Sequence, residues 1–413
     1  VPDRPIRVLF VSQHYAPELT GNAPYVASLA EALAERGFAV RVLTTHPHYP
    51  HWRIEEGYGG WRTVEHPRSG LSVTRLLHYV PASPSTVRRT IAEVTFGFRA
   101  LFARWGHPDV VVLVSPGLLG ARIARIRARR APAFVVWVQD IYSLGLRETG
   151  QGQGLLARLL ERVERVTVSR PAQIMAIHER FKDYLVNNLG AAPTNVEVIR
   201  NWTHLDPTGG TGSRAASRSA LGWSDDETIV LHAGNQGVKQ GLSNVVESAR
   251  LSDVEGLPIR FVLLGHGNQH DMLRSEAEGV QRIQFIEPLP DDQYQAAMRA
   301  ADMLLVNELP GVAEMSVPSK LTSYFSTGVP VLAATDAGSV TAGEVAAAKA
   351  GLRVDAGRPR AMVDGVLEIA GLADKGAALG SAGPEYVRSV LSKNAAIEHV
   401  ERWFVELLDG RQD

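Results

Sequence analysis

Residues 7–45 read RVLFVSQHYAPELTGNAPYVASLAEALAERGFAVRVLTT. The short apolar run RVLFVSQ (7–13) is that of a buried parallel strand. A Pro/Gly loop follows, and YVASLAEALAERG (25–37) then carries helical apolar spacing with a glycine stop. FAVRVLTT (38–45) is the next strand, so the stretch is one βαβ unit. Further strand signals fall at residues 71–75, 110–114, 134–138, 174–177 and 196–199, with helices between most of them. Such alternation predicts an α/β fold with a doubly wound parallel sheet.

DPTGGTGSRAAS (206–217) reads as a linker, rich in Gly, Ser and Thr. The pattern then repeats, with strands at 228–232, 260–264, 283–285, 303–306, 329–333 and 351–354. Helices are expected at 242–251, 291–300, 319–326 and 360–370, and a last helix at 385–408 presents Trp403, Phe404 and Leu407. The domains are therefore 1–205 and 206–384, each Rossmann-like, followed by a terminal helical segment, 385–413.

A chain of 413 residues exceeds one ordinary core, which agrees with two domains. Its 45% hydrophobic and 21% charged residues are those of a soluble globular protein. The absence of cysteine excludes disulfides, thiolate catalysis and thiolate metal sites. No run of 18 apolar residues occurs, so neither a spanning helix nor a cleavable signal is expected. The net charge of -1 hides an asymmetry: residues 1–200 hold 25 Lys+Arg and 16 Asp+Glu, leaving 18 and 28 for the rest. A basic first half suits an anionic partner. The competing reading is that arginine, 37 of the 43 basic residues, is merely the solubilising choice.

Ligands of open α/β sheets bind at the carboxyl ends of strands, so the loops there matter most. HAGNQGVKQGL (232–242) and SVPSK (316–320) each look like an anion cradle, a strand leading through a small-residue loop into a helix. Each carries a lysine, Lys239 and Lys320. Two such loops, the first carrying Gly234, Asn235 and Gln236 as candidate donor-binding residues ahead of its lysine, suggest one diphosphate held between two helix ends. Pro318 fits a first helical turn that Ser316 or Ser319 can cap. FVLLGHG (261–267) ends in Gly265 and Gly267, where a base or ribose could lie against bare backbone. In the first half, Gly21-Asn22 could face an anion or a sugar, or simply turn the chain into its helix. Asp140, after Gln139, could orient a sugar hydroxyl or stabilise anomeric charge, or cap the next helix. The loop His46-Pro-His48-Tyr49-Pro-His51-Trp52 holds three imidazoles with no carboxylate spaced to complete a metal site, so an acceptor-binding role is the better assignment.

These segments together resemble the GT-B glycosyltransferases of the large retaining family four. Within it they are most like the subgroup that transfers sugars such as N-acetylfucosamine in O-antigen and colanic-acid-type polysaccharide assembly. The resemblance rests on SQHYAPELTGNAPY, THPHYP, WVQDIY, VIRNW (198–202), AGNQGVKQGL and VPSKLTSYFSTGVPVLA, in order and at matching spacing, and spans nearly the whole chain. It implies two Rossmann-like domains facing a cleft, with the donor mainly on the second, the acceptor on the first, and the terminal helix crossing back. It further implies transfer of a sugar, an N-acetylated hexosamine or deoxyhexosamine, from a UDP-sugar with retention and with no bound metal or other cofactor. Gly234, Asn235, Lys239, Ser319 and Lys320 would hold the diphosphate. Gly265 and Gly267 would border the nucleoside, and Gly21 and Asn22 would close over the donor. Tyr15, His46, His48, Tyr49 and Gln139 would face the acceptor, with Asp140 at the acidic position.

Most of the family carries a glutamate pair eight positions apart, where this chain has Met315 and Ser323. Glu314, adjacent to the first, is then the expected contact for donor hydroxyls, with Ser316 and Ser323 beside it. Retention without an enzymic nucleophile favours a front-face substitution, in which the leaving diphosphate helps take the acceptor proton. The expected acceptor is lipid-linked through a polyprenyl diphosphate or is another glycan, and nucleic acid is not expected. The resemblance places the protein in the cytoplasm or peripherally on the inner face of the plasma membrane. The Arg-rich ARIARIRARRAP (121–132) and helix 155–170 would touch anionic lipid, with Arg122, Arg125, Arg129 and Arg130 near one face. The alternatives are a transferase with a small-molecule acceptor, a sugar-nucleotide epimerase or hydrolase, and a binding protein without catalysis.

Overall fold

A computed structural model describes residues 4–18, 21–83, 85–115, 117–144, 155–168, 173–202, 212–311 and 319–410. The chain divides into two compact units, Val1–His204 with Lys393–Asp413, and Leu205–Ser392.

The first unit is built on eight strands: β1 (Arg7–Val11), β2 (Ala39–Thr45), β3 (Arg62–Arg68), β4 (Leu71–Leu76), β5 (Val110–Val114), β6 (Ala133–Val138), β7 (Gln173–Ala176) and β8 (Val196–Val198). Their order is β3-β4-β2-β1-β5-β6-β7-β8, parallel throughout except for β3 against β4. VVVLV of β5 and AFVVWV of β6 are buried at every residue, the mark of strands covered on both faces. Val8 of β1 pairs with Val40 on one side and Val110 on the other. The strand order thus reverses between β1 and β5, which makes their carboxyl ends the expected ligand crevice.

β3 is absent from the sequence expectations. Its RTVEHPR is polar, mostly exposed and contains Pro67. An edge strand paired on one side has no apolar run for periodicity to detect.

The second unit has a six-stranded parallel sheet of β9 (Thr228–Ala233), β10 (Ile259–Leu264), β11 (Ile283–Ile286), β12 (Met303–Asn307), β13 (Val331–Ala334) and β14 (Gly351–Val354). The order is β11-β10-β9-β12-β13-β14, reversing between β9 and β12. Ile229, Leu231 and Ala233 enter a core with Tyr324 and Phe325. Val230 joins a separate core with Phe261, Leu263 and Leu305. Alternate residues of one strand therefore serve two apolar layers, one on each face of the sheet.

Two boundaries differ from expectation. A helix, Arg214–Leu221, starts inside the expected linker, with the Ser213 hydroxyl accepting from the Ala216 N–H at 3.2 Å. The expected helix 385–408 is two helices, Ala377–Val390 and Lys393–Asp409, which belong to different units. Packing fixes the split. A Cβ at Gly380 would stand 2.1 Å from the Gly328 carbonyl oxygen, and one at Gly383 would stand 2.5 Å from that of Phe325. These glycines seat Ala377–Val390, Pro384 included, on the backbone of the second unit. Lys393–Asp409 instead packs on helix Ala23–Glu35 of the first unit, through buried Ile397, Val400, Trp403 and Phe404. Arg36 pairs with Glu401 at 3.3 Å and Glu197 with His399 at 2.7 Å. Helices His270–Glu276 and Val340–Ala348 also went unforeseen; the second, VTAGEVAAA, has no polar face to give it a period.

Candidate functional site

In the second unit, the loops after β9 and β12 flank the point where the strand order reverses. They are stitched together. The Asn307 side chain donates to the carbonyls of Gln240 (2.6 Å) and Gly241 (3.0 Å), and Leu309 N–H donates to the Lys239 carbonyl (2.8 Å). Tyr324, buried on helix Ser319–Thr327, brackets the end of β9. Its hydroxyl accepts from Ala233 N–H (2.9 Å) and donates to the Ala233 carbonyl (3.2 Å).

Lys320 rises from the first turn of that helix and lies across Gly234. A Cβ at Gly234 would stand 3.0 Å from Lys320 Cε, and the residue's φ of +127° itself favours glycine. The Lys320 Nζ is 2.8 Å from His232 Nε2. Burial pushes the ammonium pKa down to about 7, which the carboxylate of Glu308 partly opposes. Burial, reinforced by Lys320, holds His232 well below its ordinary value, so its ring is neutral and its Nε2 accepts. The site therefore holds a lysine that an arriving anion can charge fully. Lys239, on the turn Val238–Gln240, is half-buried, and Asn235 is exposed.

Gln236, Gly265 and Gly267 have other tasks than those expected. Gln236 is fully buried; its Nε2 donates to the Gly265 carbonyl (2.9 Å) and its Oε1 meets His270 Nδ1 (2.8 Å). A Cβ at Gly265 would stand 2.3 Å from the Gly234 carbonyl oxygen, and one at Gly267 2.4 Å from that of Gln236. The G-x-G spacing answers to two loops touching backbone to backbone, so it is not in itself a nucleoside signature. Ser323 is buried on its helix. Glu314, Met315 and Ser316, and the side chain of Ser319, lie outside the described residues.

Sequence reading missed His232 and Glu308. Glu308 follows β12 directly and is buried, receiving hydroxyl hydrogen bonds from Thr335 and, at 2.5 Å, from Thr341. A carboxylate at a strand's carboxyl end was the available signal.

In the first unit, Ser115 after β5 organises the expected residues. Its hydroxyl accepts from Gln139 N–H (3.1 Å) and donates to the Asp140 carbonyl (3.2 Å), while its own carbonyl accepts from Asn22 Nδ2 (3.2 Å). Asn22 is buried and ties the loop after β1 to β5; Gly21 before it is exposed, with φ +66°. The Asp140 carboxylate accepts from Ile141 N–H (2.9 Å) and remains half-exposed; the first N–H groups of the helix, those of Tyr142 and Ser143, go to Glu164 instead. Gln139 is matched to Asn201 of VIRNW, Nε2 to Oδ1 at 3.2 Å and Oε1 to Nδ2 at 2.8 Å.

The acceptor assignments need more correction. Tyr15, His46 and His48 are core residues, exposed by 3%, 0% and 1%, while Tyr49 and Gln139 keep half-open surface. The cause is Glu18, a buried carboxylate that sequence spacing did not place. Its Oε1 accepts from His48 N–H (2.9 Å) and Tyr49 N–H (3.0 Å), and its Oε2 is 2.7 Å from His14 Nδ1. Burial raises the Glu18 pKa, but hydrogen bonding and charge from His14, with His48, outweigh it and leave the group below the ordinary carboxylate range. Contrary to the expectation from spacing, a carboxylate does lie among the imidazoles: His14, Glu18 and His48 offer ligand atoms within 4.8 Å of one another. Those oxygens already accept two backbone N–H groups and an imidazole, which makes Glu18 the anchor of the 46–52 loop.

A group whose folded pKa is depressed stabilises above its unfolded pKa and loses that contribution as pH falls through the folded value. Glu18→Gln should therefore lower Tm by roughly 2–8 °C at neutral pH, for about 1–2 kcal/mol lost. The gap should close in acid; an equal gap in thermal melts at neutral and acid pH contradicts the anchor.

Arg125 also departs from expectation. It is buried, its Nη1 donating to the Val166 carbonyl at 2.5 Å, and the helix ends at Ala128, before Arg129 and Arg130. The expected arginine face is thus broken. A cavity of about 650 Å³ opens at the amino ends of β1, β2 and β4. Its arginines are engaged, Arg7 with Asp109, Arg68 with Glu31 and Glu35, and Arg41 with the Arg104 carbonyl (3.3 Å), and it lies at the wrong strand ends for the sheet's ligand crevice.

Residues 20–202 match the model of a glycosyl transferase 4-like domain, and residues 213–385 match that of the glycosyl transferases group 1. A putative colanic acid biosynthesis glycosyl transferase of Escherichia coli K12, WcaI, is 32% identical over 339 residues, 78% of this chain and 82% of that protein. Among solved structures, sucrose-phosphate synthase from Thermosynechococcus elongatus superposes with a TM-score of 0.78 at 18% identity, over 98% of this chain and 100% of that one. Anabaena HepE in complex with UDP-glucose gives 0.67 at 16% identity, over 98% and 100%. At such identities the structures establish the fold alone, two Rossmann-like domains of the GT-B type.

Proposed function

Since the chain belongs to the glycosyl transferases group 1 family, preceded by a glycosyl transferase 4-like domain, we propose that it moves a sugar from a UDP-sugar to a lipid-linked or glycan acceptor in cell-surface polysaccharide synthesis. The sugar we assign is an N-acetylated hexosamine or deoxyhexosamine, transferred with retention and without a bound metal. The observation that carries the reading is Lys320 laid across Gly234, where the loops after β9 and β12 meet at the reversal of strand order. A diphosphate there would meet the Lys320 ammonium and the Lys239 side chain, with Asn235 at the exposed rim. Fixed cationic and backbone donors of this kind stabilise charge that develops on a leaving group, worth about 10²–10³ in rate for one donor. UDP as the nucleotide is favoured by HepE, whose structure holds UDP-glucose. The polysaccharide setting is favoured by WcaI, described as a colanic acid biosynthesis enzyme. Asp140, half-exposed at the end of β6, would orient an acceptor or sugar hydroxyl, and Glu314 the donor hydroxyls.

The test is incubation with UDP- and GDP-sugars, with and without lipid-diphosphate acceptors, in the presence of chelator. Free UDP that appears only with acceptor, and an α-anomeric product from an α-linked donor, is the expected result. Nucleotide released equally without acceptor, or donor converted to an epimer, overturns the reading.

A further inference from the structure

Helix Thr86–Phe102 has two apolar faces, and among the described residues only one of them is covered. Inward, Ala92, Phe96 and Ala100 are buried, and a Cβ at Gly97 would stand 2.9 Å from the Cα of Gly120, so this face is in backbone contact with helix Leu118–Ala128. The carboxyl end is finished by Trp105 Nε1 on the Ala100 carbonyl (2.7 Å) and by Arg127 Nη1 on those of Leu101 (3.0 Å) and Ala103 (2.6 Å). Outward, Val87, Ile91, Phe98 and Phe102 are exposed by 67%, 44%, 50% and 80%. Positions 87, 91, 98 and 102 follow the four- and seven-residue steps of a single stripe, which runs the length of the helix. Scattered exposed apolar residues need no explanation, but a four-turn stripe ending in two phenylalanines does.

The charge around the stripe points to its occupant. Between residues 86 and 104 the charged side chains are Arg88, Arg89, Arg99 and Arg104, with Glu93 as the one acid. Glu93 turns inward, accepting from Leu119 N–H (3.1 Å) and the Tyr142 hydroxyl (2.8 Å). Arg88, Arg89 and Arg104 are exposed. The outer surface is therefore apolar along its crest, with Arg88 and Arg99 along one margin, Arg104 just past its end, and no acid of the helix facing outward. An interfacial helix combines these features, laying apolar residues among acyl chains while arginines meet anionic headgroups. Among the described residues no helix is long and apolar enough to cross a membrane.

We propose that the outer face of helix Thr86–Phe102 docks the first unit on an anionic lipid surface. This replaces the arginine face expected at residues 121–132, and it deepens the lipid-linked acceptor reading. It is measured without donor or acceptor, so either reading can fail alone.

The experiment is vesicle flotation of the full chain with phosphatidylcholine alone and with added phosphatidylglycerol, at low and high salt. The chain should float with phosphatidylglycerol vesicles and lose most binding at high salt. The variant carrying Phe98→Glu and Phe102→Glu should bind at least about tenfold less, with an unchanged melting temperature because both positions are exposed. Should that variant misfold, Arg88→Gln with Arg104→Gln must still weaken binding to the anionic vesicles. Flotation that is absent, or indifferent to both pairs of substitutions, overturns the proposal. So does a dimer in sedimentation velocity that the Phe98 and Phe102 substitutions dissolve while vesicles are ignored, since the stripe then serves a second copy of the chain.

Discussion

Lys320→Met should lower turnover by about 10²–10³ while raising the melting temperature of the ligand-free protein. The two effects share one cause. The folded state holds Lys320 where burial has brought its pKa from 10.5 down to about 7, so the charged form is disfavoured by the fold. A lysine whose folded pKa is lowered destabilises below the unfolded value, and methionine of similar length removes that penalty. After screening we expect about 1–2 kcal/mol and a rise of roughly 2–8 °C. In the substituted protein the neutral His232 ring can carry its proton on Nε2 and donate it to the Asn235 carbonyl 3.4 Å away. Steady-state kinetics and thermal melts on one preparation check both halves. Loss of activity with a lower Tm would mean Lys320 is structural, and unchanged turnover would remove its catalytic role.

Gly265→Ala should have the second large effect, on the fold of the same site. Its φ of +123° is one that L side chains rarely adopt, and the new Cβ would stand 2.3 Å from the Gly234 oxygen and 3.0 Å from its carbonyl carbon. Backbone cannot step aside here without parting β9 from β10, whose carboxyl ends are joined by Gly234 N–H on the Leu264 carbonyl at 2.8 Å. We expect a cost of about 3–5 kcal/mol and a Tm lower by roughly 6–20 °C. Gly279→Ala is the matched control. It has φ +79° with nothing within 4 Å of the added carbon, so strain alone should cost about 1 kcal/mol. Equal losses in denaturant titrations of the two variants would show that the loop contact is not what requires glycine at 265.

The fold was legible in the sequence wherever a residue's role follows from its neighbours along the chain. Residues 7–45 announce a βαβ unit because burial on both faces of a parallel sheet demands continuous apolar strands. The place of Lys320 in a first helical turn was legible for a related reason, since proline, serine and lysine at a helix start are a local device. Glu18, His232 and Glu308 were not, because what they do depends on partners 30, 88 and 27 residues away. Gly265 and Gly267 misled in the opposite direction. Their spacing suggests a ligand, but the atoms that forbid a side chain there belong to Gly234 and Gln236. Arg125 likewise shared a helical face with Arg122 in sequence, yet the neighbouring helix Leu155–Val168 supplies the Val166 carbonyl that draws it inward.

The central claim is that Lys320 becomes the charged partner of a nucleoside diphosphate. Near pH 8.5 the free lysine, at about 7, is mostly neutral, so a diphosphate that holds it as ammonium must draw a proton from solution. Calorimetric titration with UDP and with GDP at that pH, in two buffers of different ionisation enthalpy, reads this directly. The account requires uptake of about one proton with the nucleotide that binds, an affinity falling roughly ten- to fiftyfold between neutrality and pH 9, and neither effect in Lys320→Met. Tight binding with no proton uptake, equal in the parent and the variant, would contradict it.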